Sequence, residues 1–330
     1  MVSESFGLRT KIPYFSFLTF ILILIGSRYE TGPDWATYES IYETSCQTPM
    51  IELQGVELLY RGLNCLSYSG SFDLLFVNII CALIILCSCF YFAKLCLTPS
   101  IFYIFAMPYF LYVISMSYTR QSVAISLFML SIYLSVNFRK TSIWAISLIG
   151  FGFHKSILLY SGLLLYKTIP KLAIYLLLIP ALIFLALYSL GGYFEYLVSN
   201  YVEGDFSSTG ALFRITFSCF CSTAYYFLIR AHIPANVRNV INIFTPLPYI
   251  YFLFLVVWPN QNTAIDRISL YQIPVNILIC SYAPLAFPEK YFLVLKNVAF
   301  LISFLLFQGW LSYTSFRDAW LPYKSYFFVL

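Results

Sequence analysis

Arg28, Arg120 and Arg267 each fall at the predicted membrane boundary of an apolar segment. A guanidinium presents a planar fork of donors that matches phosphate or carboxylate. A lone interfacial arginine also serves to anchor a helix by snorkelling. Together on one face, the three point to an anion carrying several charges, such as a lipid pyrophosphate. Arg61 and Arg214 fall near the same face and join them as candidates. Asp34 and Glu57 are acids in the first polar stretch, able to take a proton from a hydroxyl or to hold sugar hydroxyls. Each has a structural alternative: Asp34 follows Gly-Pro and could cap a helix starting at Trp35, and Glu57 could pair with Arg61 one turn on. His154 lies inside an apolar run, where an ionisable residue is a functional candidate by default and suits proton transfer near neutrality. The alternative is a structural hydrogen-bonder. Tyr38, Tyr42 and Trp35 suit stacking on sugar rings, although aromatic belts gather at interfaces too.

The elements that must position these residues are membrane helices. Of 330 residues, 61% are hydrophobic and 10% charged, whereas soluble domains carry about 25% charged residues. The expectation is an all-α, polytopic integral membrane protein, because the apolar runs are continuous rather than alternating. The net charge of +5 reflects basic residues on the inner side and argues for no nucleic-acid partner. About ten spans are readable: Ile12 to Gly26, Phe72 to Ala93, Pro99 to Met116, Ser122 to Phe138, Ser142 to Tyr166, Leu172 to Leu190, Ala211 to Ile229, Val240 to Trp258, Ile268 to Leu285 and Tyr291 to Leu311. Val56 to Tyr68 is too short to span and reads as interfacial or re-entrant.

Placing Arg9 and Lys11 inside puts Lys94, Arg139, Lys140, Lys167, Lys171, Arg230, Arg238, Lys290 and Lys296 inside as well. That works only if Ser142 to Tyr166 enters and returns, with a break around Gly150 to His154. As one ordinary helix it would invert everything downstream. The whole chain, 1–330, reads as a single membrane domain with outer loops over 27–71 and 191–210. Most of the nine cysteines lie in apolar runs as small filler. Cys46 and Cys65 fall in the first polar region and could pair in an oxidising compartment. Two distant histidines offer no metal-ligand spacing, and no phosphate-binding loop or dinucleotide fingerprint is present.

Arg28 through Gly32, Asp34, Tyr38 and Tyr42, then Glu57, then Tyr118 through Ala124, then Phe153 through Ser156, and Arg267 with Tyr271 occur in an ordered set. In order and spacing this set resembles the EpsG/Wzy group of bacterial polysaccharide polymerases over most of the chain. Leu58 departs from the pattern, which has proline after the acid, and the C-terminal third matches mainly by hydropathy and Arg267. The resemblance implies a GT-C-like membrane glycosyltransferase of the bacterial inner membrane, working at the periplasmic or outer face without metal or cofactor. Its substrate would be an undecaprenyl-pyrophosphate-linked oligosaccharide, transferred from one lipid carrier onto another lipid-linked unit. A chain-length regulator protein is an implied partner, besides membrane lipid. In that scheme Arg28, Arg61, Arg120, Arg214, Arg267, Tyr38, Tyr42 and Gln121 bind substrate. His154 takes the acceptor proton, with Asp34 or Glu57 as the rival base. A lipid-linked oligosaccharide flippase and an O-antigen ligase are the alternatives. A flippase would need charges along a central path, whereas here they gather on one face; a ligase differs only in its acceptor.

Overall fold

In a bilayer every backbone N–H and C=O must find its partner within the chain, and the apolar segments answer that constraint as helices. The computed structural model describes residues 8–47, 55–137, 140–165, 210–314 and 316–329. Seven described helices are long and apolar enough to cross a membrane. In chain order, α1 is Leu8–Gly26, whose apolar part is shorter than a full span. Two short helices follow in the polar stretch, α2 (Trp35–Thr44) and α3 (Leu58–Ser69). Then come α4 (Asp73–Ala93), α5 (Pro99–Ser117) and α6 (Thr119–Val136). A pair of short helices, α7 (Lys140–Phe151) and α8 (Ile157–Leu165), is next. The last four spans are α9 (Ala211–His232), α10 (Ala235–Val257), α11 (Asn262–Ala286) and α12 (Glu289–Ser312). The protein is an all-α, multi-pass membrane protein. The expected helix from Leu172 to Leu190 and the loop 191–210, apart from Gly210, lie outside the described residues.

Helix α6 is the centre of the bundle and has the most buried span. Its sequence explains why. Ser122, Ala124, Ser126 and Ser131 are small and fully buried, so neighbouring helices approach closely. The buried hydroxyls are satisfied within their own helix: Ser122 Oγ donates to Thr119 O at 2.8 Å, and Ser131 Oγ to Leu127 O at 3.0 Å. Helices α4 and α7 pack along it. Helix α5 is not a regular α-helix. It widens into a π-helix over Met107–Ile114, whose second residue, Pro108, has no N–H to donate.

The segment from Ser142 to Tyr166 is broken, as the distribution of basic residues requires. Helix α7 has 12 residues and α8 has 9, about 18 and 14 Å of rise, each short of the roughly 30 Å hydrocarbon core. A turn over 152–156 joins them, and the two helices pack on each other and on α6. His154 is at the tip of this hairpin. The tip is fixed from outside: the N–H groups of Leu59 and Tyr60 at the start of α3 donate to Gly152 O at 2.8 and 3.1 Å.

Helices α2 and α3 form a cap over this end of the bundle. Trp35, Tyr38 and Ile41 face inward at helical spacing, while Glu39 and Glu43 face out. Cys46 at the end of α2 is joined to Cys65 of α3 by a disulfide, with Cα atoms 4.9 Å apart. The C-terminal segment returns to the same end. Arg28 and Ser325 form an isolated antiparallel bridge, and Gly32 N–H donates to Ala319 O at 2.8 Å. Gly32 has φ +96°, and a Cβ there would lie 2.8 Å from Met116 O. Only glycine meets both conditions.

Single cysteines replacing Lys94 and Lys155, in a background lacking the free cysteines, are expected to react with a membrane-impermeant maleimide from opposite sides of sealed vesicles. Reaction from the same side would contradict the hairpin.

Candidate active site

The polar residues singled out from the sequence fall into two groups, those whose charge is met by protein and those whose charge is left open. Arg28 belongs to the first. It is 1% exposed. Its Nη1 donates to Thr31 O at 3.0 Å and also to Met116 O, and its Nη2 donates to Thr119 Oγ1 at 2.7 Å and Asn78 Oδ1 at 3.4 Å. The rings of Trp35 and Tyr38 flank it at 5.5 and 6.0 Å. Burial lowers its pKa, yet guanidinium stays charged. Arg28 thus ties α1, α4, α6 and the loop together.

Arg120, at the start of α6, lies between Gly55 and Glu57. Its Nη1 donates to Gly55 O at 2.6 Å and to Glu57 Oε2 at 2.9 Å. Glu57 Oε1 accepts from the Lys155 N–H at 3.4 Å. Glu57 is therefore paired with Arg120 across the bundle rather than with Arg61 on its own helix. Arg61 instead donates from Nε to Ser45 O at 3.0 Å, holding α3 to the end of α2. Arg214 makes a two-point ion pair with Asp266, Nε to Oδ1 at 2.8 Å and Nη2 to Oδ2 at 2.5 Å, joining α9 to α11. Gln121 Nε2 donates to Arg267 O at 2.6 Å, so it fixes the backbone of α11 against α6. Tyr38 is buried against Tyr60, ring centroids 5.9 Å apart, and Tyr42 packs on Tyr68 at 5.7 Å. Both line the inner seam between α2 and α3.

Arg267 and Asp34 form the open group. Arg267 is partly buried over the Tyr118 ring, 4.7 Å from its centroid. Its guanidinium makes no hydrogen bond or ion pair among the described residues. Asp34 occupies the N-cap position of α2, but its side chain accepts no hydrogen bond from that helix, nor from any other described residue. The cap anticipated from Gly-Pro-Asp thus exists in position and not in bonding. Burial raises the Asp34 pKa, opposed by Arg267, Arg120 and Arg28 in that order. A partly desolvated carboxylate facing cations, with its lone pairs unclaimed, has the properties of a proton acceptor.

His154 differs. Its Nδ1 is 2.6 Å from Ser156 Oγ, which donates to Tyr271 OH at 2.9 Å. Burial, then the charges of Arg120, Arg267 and Lys155, lower its pKa to about 3. The imidazole is neutral at physiological pH and a weak base. Among the described residues no group of three or more His, Cys, Asp or Glu is placed to hold a metal ion.

Below this end, an apolar cavity of about 600 Å³ opens between α5, α9, α11 and α12. Phe213, Phe217 and Phe307 line it, and Arg214 and Asn276 lie on its wall. Asn276 Oδ1 is buried there without a hydrogen-bond partner among the described residues. Sequence reasoning missed this cavity, and it missed Asp266 as the partner of Arg214. A buried Asn inside an apolar span was the available signal for the first; for the second, 52 residues of separation gave none.

A multi-pass helical membrane protein with a cluster of arginines around a carboxylate at one end of its bundle is the class these features define. The sequence model of the EpsG family matches residues 11–325, and the chain belongs to that Wzy-like family of polysaccharide polymerases. No curated protein and no solved structure matches the chain. Membership gives it a polysaccharide-polymerase-like role.

The His154 shift sets a pH dependence. Above its ordinary value of 6.5 the imidazole is neutral whether the chain is folded or not. Between about 6.5 and about 3 the unfolded chain binds a proton that the folded protein refuses, so stability falls as pH falls. His154→Gln is expected to flatten that part of a melting-temperature profile in detergent. An unchanged slope would show that this histidine is not held neutral.

Proposed function

We propose that the pocket transfers a glycan from a polyprenyl pyrophosphate onto a hydroxyl of a second lipid-linked sugar unit, at the face of the membrane that carries α2 and α3. The observation that carries this reading is an open guanidinium, Arg267, whose charge acts on an open, partly buried carboxylate, Asp34. Arg267, with Arg120 beside it, holds the pyrophosphate. Asp34 accepts the proton of the acceptor hydroxyl as its oxygen attacks the anomeric carbon. The bond from that carbon to the phosphate oxygen breaks, and its electron pair leaves with the lipid pyrophosphate. Arg28, Glu57 and Gln121 position these groups, and neutral His154 offers a hydrogen bond through its Ser156–Tyr271 chain.

In this scheme Asp34 takes the place of His154 as the base. Burial raises the Asp34 pKa, and the three arginines offset only part of that rise. A bound pyrophosphate neutralises them, so donor binding strengthens the base when it is needed. The apolar cavity receives the first isoprene units of the carrier, and Arg214 with Asp266 marks its polar mouth. The disulfide between Cys46 and Cys65 supports an oxidising, outer location for this face. A bacterial inner membrane, a metal-independent reaction and a separate chain-length regulator accord with this scheme.

The test is polymer length in cells lacking the native gene, at matched protein levels. Arg267→Ala is expected to lower the rate of chain growth on the order of 10²–10³-fold by removing one stabilising contact to the leaving group, with single repeat units accumulating. Arg267→Lys restores part of it. Loss of all surface glycan without accumulated single units would point to a flippase. Full-length polymer from Arg267→Ala would refute the assignment.

A further inference from the structure

The opposite end of the bundle carries a second cationic feature. Helix α9 runs from Ala211 to His232, so its far end is about 27 Å along the axis from Arg214, close to the thickness of the hydrocarbon core. There the helix changes form. A π-helical turn over Tyr225–Ile229 is followed by a 3₁₀ turn over Arg230–His232, and the chain reverses into α10. Widened turns of this kind re-aim side chains and recur at functional sites. Here the reversal brings Arg230 and Arg238 to one notch of about 520 Å³, with Asn239 and Asn242 on its wall.

The notch is rich in donors, and no acid is among the described residues that line it. Neither arginine forms an ion pair with a carboxylate among the described residues. The Asn242 Oδ1 is taken by the Tyr225 hydroxyl at 2.6 Å, so its amide NH₂ is what remains to bond a ligand. Two guanidiniums and carboxamide NH₂ groups around one space select an anion with several acceptor oxygens. The surroundings select its source. Phe227 is 82% exposed and Leu228 61% exposed on the helix surface beside the notch, where lipid chains lie in a membrane. Lys94 and Lys290 mark the same end of the bundle, the arrangement by which juxtamembrane cations meet anionic lipid.

We infer that this notch binds the phosphate ester headgroup of an anionic phospholipid, with the acyl chains along Phe227 and Leu228. The headgroup bridges α9 and α10 at their reversal. The site is separate from the Asp34 pocket and stands whether or not that pocket performs the proposed transfer.

The experiment uses the full chain in detergent micelles doped with phosphatidylglycerol or phosphatidylcholine, with retained lipid counted by native mass spectrometry. Wild-type protein is expected to retain phosphatidylglycerol in preference to phosphatidylcholine, less so at high salt. Arg230→Gln with Arg238→Gln should weaken retention about thirtyfold, the loss of two interfacial charges. The melting temperature in phosphatidylcholine should stay that of wild type. Asn239→Asp, which puts a negative charge in the notch without removing an arginine, should weaken retention too. Equal retention by the wild type and the double variant, or no preference for phosphatidylglycerol, overturns the inference. Displacement of the lipid by inorganic phosphate at millimolar concentration would also overturn it, showing a site for a soluble anion.

Discussion

The ion pair between Arg120 and Glu57 is the interaction on which the pocket depends. It joins the N-terminus of the central helix α6 to the N-terminus of α3, and through the Lys155 N–H it reaches the tip of the α7–α8 hairpin. These segments are distant in sequence, and the charged pair joins α6 to them, beside the Leu59 and Tyr60 N–H bonds to Gly152 O that fix α3 to the hairpin tip. Removing one member of such a buried pair costs roughly 3–5 kcal/mol, because the other charge is left uncompensated. The pair also takes up the Glu57 carboxylate. That leaves Asp34 as the acid with free lone pairs, facing an excess of positive charge.

That excess is the second physical theme. Arg28, Arg120 and Arg267 all act electrostatically on Asp34, but they are held differently. Arg28 is enclosed by backbone carbonyls and a hydroxyl, Arg120 is half compensated by Glu57, and Arg267, among the described residues, lies over the face of Tyr118 without a hydrogen bond or ion pair. The gradient from closed to open runs toward the place where an anion can enter. Burial, with two of these cations, Arg120 and Arg267, and with Lys155, keeps His154 neutral. One field therefore favours ionised Asp34 and suppresses the histidine, and it separates the roles of two titratable groups in one pocket.

Much of the architecture was legible in the sequence because the bilayer restricts the options. Span lengths and the alternation of basic residues favoured a break around Gly150 to His154 but left one ordinary helix open, and the structure shows the break, with His154 at its tip. The gathering of Arg28, Arg120, Asp34, Glu57 and Arg267 at one end follows from those spans. What the sequence could not convey is which arginine is closed and which open. Arg28 is satisfied largely by the carbonyls of Thr31 and Met116, and Arg120 partly by that of Gly55; main-chain acceptors leave no trace in residue type. Local spacing misled at Glu57, where the nearby Arg61 suggested a helix pair and the distant Arg120 is the partner. At Asp34, position suggested a cap whose bond is not made.

The central claim is that Asp34, and not His154, takes the proton during chain growth. The most direct measurement is the pH dependence of initial polymerisation rate by purified protein in liposomes supplied with lipid-linked repeat units. The account predicts an acid limb that shifts in Asp34→Glu, disappears with the activity in Asp34→Asn, and keeps its midpoint in His154→Gln. A limb unmoved by Asp34→Glu but abolished by His154→Gln would contradict it.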